Sequence, residues 1–202
     1  RLKQLGSTQS IVHKTVLTIG IPESMLAERI EKWENELPKY IKLAYLPSPM
    51  MVKLRLSGYG NDENALKTEI SARVDALLKI IPDAVFGYDN DNMGIAIGRL
   101  LTHSGKTMAT AESCTGGSIA QLITSNAGSS AYFKGGVVAY SNEIKHQLLA
   151  VPMDIIERHG AVSKEVAERM AIGARAALNS DFAVATTGIA GPDGGSDEKP
   201  VG

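Results

Sequence analysis

One cysteine, one tryptophan and three phenylalanines are all that 202 residues contain of these types, and the charges nearly cancel, 21 basic against 22 acidic. Each shortage excludes something. Cys114 alone cannot close an internal disulfide, which suits a reducing compartment and a cytoplasmic location. A formal net charge of −1 leaves no overall field to steer nucleic acid or a membrane surface. No apolar run reaches the ~18 residues of a membrane span, and the amino terminus lacks the apolar core of a signal peptide. The four histidines, His13, His103, His146 and His159, are scattered with no metal-ligand spacing, so no metal is expected. The patterns GxxxxGK[ST], GxGxxG and GxSxG are absent too, which removes the ordinary P-loop, the dinucleotide fingerprint and the hydrolase nucleophile elbow.

What is present is a globular composition, 44% hydrophobic, with two successive kinds of pattern. Thr15, Leu17, Ile19 and Ile21 share one face of a strand over 12–21, and Val52, Leu54 and Leu56 alternate with Lys53, Arg55 and Ser57 in another. Residues 41–46 form a third, weaker strand. Pro22 fits the first position of a helix carrying Leu26, Ile30, Trp33 and Leu37 on one side, and Leu66, Ile70, Val74, Leu77 and Leu78 mark a second helix before Pro82. Residues 1–88 therefore read as a small α+β domain. The polar run GYDNDN, 87–92, marks a boundary. Beyond it, helices over 93–103, 117–124, 142–149 and 164–178, the last capped by Ser163, alternate with strands over 107–111, 135–140 and 181–187. This predicts a layered α/β domain over 92–202. The polar lead-in RLKQLGSTQS and the stop at EKPVG give the chain the look of a fragment.

Three strands of the second domain finish in small and polar residues: TAESCTGG, AYSNEIK and ATTGIAGPDGG. In open α/β sheets ligand sites gather beyond the carboxyl ends of strands, so the three can share one mouth. Ser113 there is either a helix N-cap or a nucleophile near unpaired helix-start N–H groups. Cys114 is an inert packed residue or a rival nucleophile. Glu112 is an acid, a lid on the serine or an acceptor for loop N–H groups. No histidine sits at a strand end to serve as base; Lys145, one turn into the helix after Tyr140, Ser141 and Asn142, can serve if burial lowers its pKa, and is otherwise a solvated surface lysine. The glycine-rich runs 115–118 and 188–196 are tight turns or places where backbone amides approach a phosphate.

Taken together, TAESCTGG, NAGSSAYFKGGVVAYSNEIK, HGAVS and TGIAGPDGGSDEKPVG resemble the carboxy-terminal domain of the CinA family, the competence/damage-inducible proteins, over roughly 92–202. Residues 1–88 resemble, in layout, the family's KH-like middle domain. The resemblance implies a layered α/β/α domain and an amidohydrolase that converts nicotinamide mononucleotide to nicotinate mononucleotide and ammonia without a cofactor. By position it implies Ser113 as nucleophile, Lys145 as general base and Tyr140 beside them. Glu112, Thr115, Gly116, Gly117, Ser130, Thr187, Gly188 and Gly191 would line the substrate site. It also implies a further strand, helix and arginine beyond Gly202, and an amino-terminal molybdopterin-binding-like domain, associated with ADP-ribose pyrophosphatase chemistry, before Arg1. The alternative is a nucleotide-binding or scaffold fragment without chemistry. The apolar helices around Ile95 to Leu101 and Val166 to Leu178 leave room for a homodimer. Nucleic acid is not an expected partner: 1–88 contains no GXXG clamp and has nearly balanced charges.

Overall fold

The computed structural model describes residues 10–201, so most of the polar lead-in and the terminal Gly202 lie outside the described residues. The chain divides after Met93 into two compact units.

The first unit runs β1 (Ser10–Ile19), α1 (Glu23–Asn35), β2 (Ile41–Ser48), β3 (Met51–Gly60), α2 (Glu63–Ile80) and β4 (Val85–Tyr88). Its sheet is antiparallel in the order β2-β3-β1-β4. The period-2 apolar residues Val16, Val52, Leu54 and Leu56 meet Leu26, Ile30 and Trp33 of α1 and Ile70, Val74 and Leu77 of α2, so both helices cover one face. Asp62 caps α2, its Oδ1 accepting the N–H groups of Asn64 and Ala65 at 2.9 and 3.0 Å. Two details differ from the sequence reading. Pro22 is the N-cap of α1 and not its first residue. Gly87 and Tyr88 belong to β4, paired with Leu17 and Val16, so the polar boundary begins only at Asp89. Four residues alternate too few times to declare a strand in isolation.

The second unit runs α3 (Met93–Ser104), β5 (Met108–Glu112), α4 (Ser118–Thr124), a 3-10 turn (Ser129–Ala131), β6 (Phe133–Val138), α5 (Asn142–Leu149), α6 (Met153–His159), α7 (Lys164–Ala177) and β7 (Phe182–Thr186). The three strands are parallel in the order β6-β5-β7. Ala111 of β5 packs with Leu149, Ile156, Val166, Met170 and Ala174, placing α5, α6 and α7 against one face. Met108 packs with Leu101 of α3 and Ile123 of α4 in a second cluster. The unit is thus a layered α/β domain, as the alternation of strands and helices predicts, with the α/β/α arrangement that the resemblance implies. Ser163 caps α7, its Oγ accepting the Val166 N–H at 3.3 Å. Helix α6 was not expected; Pro152 opens it, but at seven residues its apolar stripe is too short to read. Strand β6 starts and stops two residues earlier than 135–140, leaving Tyr140 outside it.

Helix α7 lies so close to the end of α5 that a Cβ on Gly173 would stand 1.9 Å from the Leu149 carbonyl oxygen. Helix propensity alone makes Gly173→Ala stabilising by about 1 kcal/mol. The backbone clash reverses the sign: urea denaturation of Gly173→Ala is expected to show a loss of about 1–3 kcal/mol, and a gain would show that the two helices have slack.

Candidate active site

Glu112, the last residue of the central strand, stands in register with Val138 of β6 and Thr186 of β7, so the carboxyl ends of all three strands coincide. The chain then leaves the sheet while still bonded to its neighbours. Ser113 donates its N–H to the Thr186 carbonyl at 3.0 Å, and Ala139 donates to the Glu112 carbonyl at 2.8 Å. Gly116 and Gly117 turn the backbone through the left-handed region, φ 60° and 100°, into α4.

The side chain of Glu112 is buried and holds this turn together. Its Oε2 accepts from the Thr115 hydroxyl at 2.7 Å and from the N–H groups of Ile119 at 2.9 Å and Gly117 at 3.1 Å, and its Oε1 accepts from Ala120 N–H at 2.8 Å. Burial alone would raise the pKa of this carboxyl. The N–H groups of Ile119 and Ala120, the Thr115 hydroxyl and the Gly117 N–H outweigh it and hold the group below the ordinary carboxylate range. An anion at a helix amino terminus also meets the positive end of the helix dipole. Of the three readings open for Glu112, the geometry is that of the structural acceptor. The cap of α4 falls on Gly117, which frees Ser113 from that role.

Lys145 approaches from α5, whose start is capped by Ser141 Oγ accepting the Ile144 N–H at 3.3 Å. It is 1% exposed, and its Nζ lies 3.2 Å from Ser113 Oγ and 3.1 Å from the Tyr140 carbonyl oxygen. Burial lowers its pKa, while Cys114 and Glu143 pull weakly the other way. No carboxylate forms an ion pair with it among the described residues. A buried amine lacking a paired anion favours its neutral form, the form that accepts a proton.

The other expected site residues divide. Tyr140 contributes its carbonyl to Lys145, while its side chain is 76% exposed. Thr115 is held by Glu112 and by Thr186 Oγ1 at 2.7 Å. Thr187 points the other way, its hydroxyl donating to the Ala161 carbonyl at 2.8 Å and pinning the HGAVS loop. Gly188 lies against Cys114, since a Cβ there would be 3.2 Å from Sγ. Gly188 also borders a cleft of about 650 Å³ lined by Ser163, Thr187, Ile189 and Lys199, a volume suited to a small ligand. Gly191 packs on Val201, where a Cβ would stand 2.5 Å from Cγ1. Ser130 is not brought to this group: it sits before β6, at the amino end of the sheet, about 20 Å of strand from the carboxyl ends. Thr186 was missed, and period 2 alone would have shown that it and Thr187 serve opposite faces.

The helix-start N–H groups are not available to an oxyanion as the sequence suggested. Those of Gly117, Ile119 and Ala120 are taken by Glu112, and those of Gly116 and Ser118 by the Ser113 and Thr115 carbonyls. Among the described residues the N–H groups of Cys114 and Thr115 donate to no acceptor.

A buried serine and lysine at the carboxyl end of a parallel sheet, inside an α/β/α sandwich, define the class of this domain. Residues 90–202 match the model of the CinA C-terminal domain and residues 13–87 that of the damage-inducible protein CinA KH domain; the chain belongs to the CinA family. It is 52% identical over 193 residues to a CinA-like protein of Flavobacterium psychrophilum, covering 95% of this chain and 46% of that one. With a CinA-like protein of Cytophaga hutchinsonii it shares 48% over 202 residues, covering 100% of this chain and 48% of the relative. The chain thus spans about half the length of these curated relatives. Among solved structures, the competence/damage-inducible protein CihA of Agrobacterium tumefaciens is 48% identical at a TM-score of 0.53, over 54% of this chain and 66% of that one. A CinA superfamily protein of Escherichia coli is 34% identical at the same TM-score, over 55% and 64%.

The depressed pKa of Glu112 makes a prediction about acid. A carboxyl with a lowered folded-state pKa contributes stability that is present above the unfolded value, ~4.3, and is lost as pH falls through the folded value. Glu112→Gln is expected to be less stable at pH 7 by about 1–3 kcal/mol. Its unfolding midpoint should then fall less steeply than the parent's between pH 5 and 3. Parallel pH profiles for the two proteins would show that folding does not lower the Glu112 pKa.

Proposed function

We propose that the carboxy-terminal unit is a nicotinamide-nucleotide amidase that releases ammonia from nicotinamide mononucleotide by a Ser–Lys mechanism. The observation that carries this reading is the buried Lys145 Nζ, 3.2 Å from Ser113 Oγ, with no paired carboxylate among the described residues. Neutral Nζ takes the Ser113 proton as Oγ attacks the amide carbonyl carbon. The tetrahedral oxyanion is within the chemistry of the free Cys114 and Thr115 N–H groups. Its collapse breaks the C–N bond, the Lys145 ammonium returns its proton to the departing nitrogen, and ammonia leaves. Water then attacks the acyl-serine, its proton passing to Lys145 and on to Oγ, and nicotinate mononucleotide is released. Tyr140 holds Nζ through its carbonyl oxygen, and Gly188 and its neighbours border space for the nucleotide. Gly116 and Gly117 shape the Ser113 turn, and Gly191 shapes the loop beyond Gly188.

The test is ammonia release from nicotinamide mononucleotide. Ser113→Ala, Lys145→Ala and Lys145→Arg are each expected to lose at least about a hundredfold in kcat/KM, the arginine because it stays protonated. Variants that deamidate at the parental rate would rule out the pair. Because burial lowers the Lys145 pKa, the rising limb of kcat/KM against pH should lie below the ordinary lysine value of ~10.4. Saturable nucleotide binding without ammonia release would favour a regulatory domain.

A further inference from the structure

The first unit has a face that its overall charge conceals. Both helices cover one side of its sheet, and alternation directs the remaining strand residues to the other. On that uncovered face Lys42 of β2 stands beside Ser57 of β3 and His13 of β1. In the next row Ala44, Arg55 and Thr15 are neighbours, and in the third Leu46, Lys53 and Leu17. Lys42, Lys53, Arg55 and His13 are exposed, while Leu17 is buried as part of the floor. His13 Nδ1 is 2.8 Å from Ser57 Oγ, a contact across the two strands.

No strand of this unit contains an acidic residue, and every Asp and Glu between Ser10 and Tyr88 lies in α1, α2 or a connection. Several of those acids are committed elsewhere: Asp83 to Arg29, Glu69 to Arg73, Glu63 to Lys67 and Glu34 to the Tyr45 hydroxyl. Lys14, on the helix side, pairs with Asp89. The side chains of Lys42, Lys53 and Arg55 form no ion pair or hydrogen bond among the described residues. The near balance of acids and bases is therefore an average over two faces of opposite character.

We propose that this open sheet face binds the backbone of a single-stranded nucleic acid. Lys53 and Arg55 are two residues apart, about 7 Å along one strand, and Lys42 lies diagonally from Arg55, one strand over by about 5 Å and one row on by about 7 Å. This is a row of cations on the scale of successive phosphates. Tyr59, which shares their alternation on β3 and is 37% exposed, offers a ring for stacking a base, a contact an acidic peptide does not need. Thr15 adds a hydroxyl beside Arg55, while that of Ser57 is buried and engaged by His13. Cations set along extended strands suit a flexible single strand, which can follow them, better than a double helix, whose grooves take a helix or ribbon.

Fluorescence polarisation of labelled 12-nucleotide oligouridylate and oligodeoxythymidylate with the whole chain tests this. Binding is expected with a Kd on the order of 10⁻⁵ M at 50 mM salt, and three phosphate contacts give a log–log salt slope of about −2. Lys53→Glu/Arg55→Glu should weaken it at least tenfold, whereas Lys32→Glu/Lys79→Glu, on the helices, should leave it within twofold. Circular dichroism checks that both double variants keep the parental fold. Absence of binding at 50 mM salt, or equal loss in the helix variant, overturns the proposal. So does equal competition by polyglutamate of matched charge, which would make the face a dock for acidic protein.

Discussion

Removing a carboxylate from water is costly, and Glu112 is held at the end of the central strand only because four donors converge on it. Those donors are the start of α4 and the turn before it, so the same contacts that satisfy the charge also set where the chain leaves the sheet. Ser113 is fixed between them and β7 through its bond to Thr186. The position of Ser113 is thus a consequence of how one buried anion is solvated by backbone.

The second buried charge centre is treated in the opposite way. Glu112 receives a full set of donors, while Lys145 receives a hydroxyl and a carbonyl. Burial drives the carboxyl and the amine toward their neutral forms, but only the carboxyl is given enough partners to resist. One group stays ionised and structural. The other is left able to change protonation beside Ser113, which is what general-base work requires. Because the helix-start amides are taken by Glu112 and by the Ser113 and Thr115 carbonyls, the N–H groups left without an acceptor among the described residues are those of Cys114 and Thr115, directly after the serine.

The long periodic elements were legible in advance. Helices α2, α5 and α7 and strands β3 and β5 fall within a few residues of their sequence patterns, because each buries a continuous stripe whose period the side chains record. Strand β4 and helix α6 were not, being short segments stabilised by neighbours distant in sequence. At the site, Ser113 and Lys145 stood out as residues able to do chemistry, but their approach was not readable across the stretch of chain between them. Tyr140 looked like a side-chain participant and supplies a carbonyl. Ser130, drawn in through a motif, lies at the other end of β6 because the whole length of that strand stands between it and Tyr140.

The sequence by itself determined the two-unit layout, the layered α/β class of the second unit and the crowding of polar residues at three strand ends, since these stem from local periodicity and turn chemistry. Tertiary structure alone decided which polar residues meet, which are buried and which face each charge occupies. Burial and proximity are properties of surfaces brought together from separate parts of the chain. The pairing of Lys145 with Ser113 and the cationic sheet face exist only after that folding, whatever the net charge of the chain.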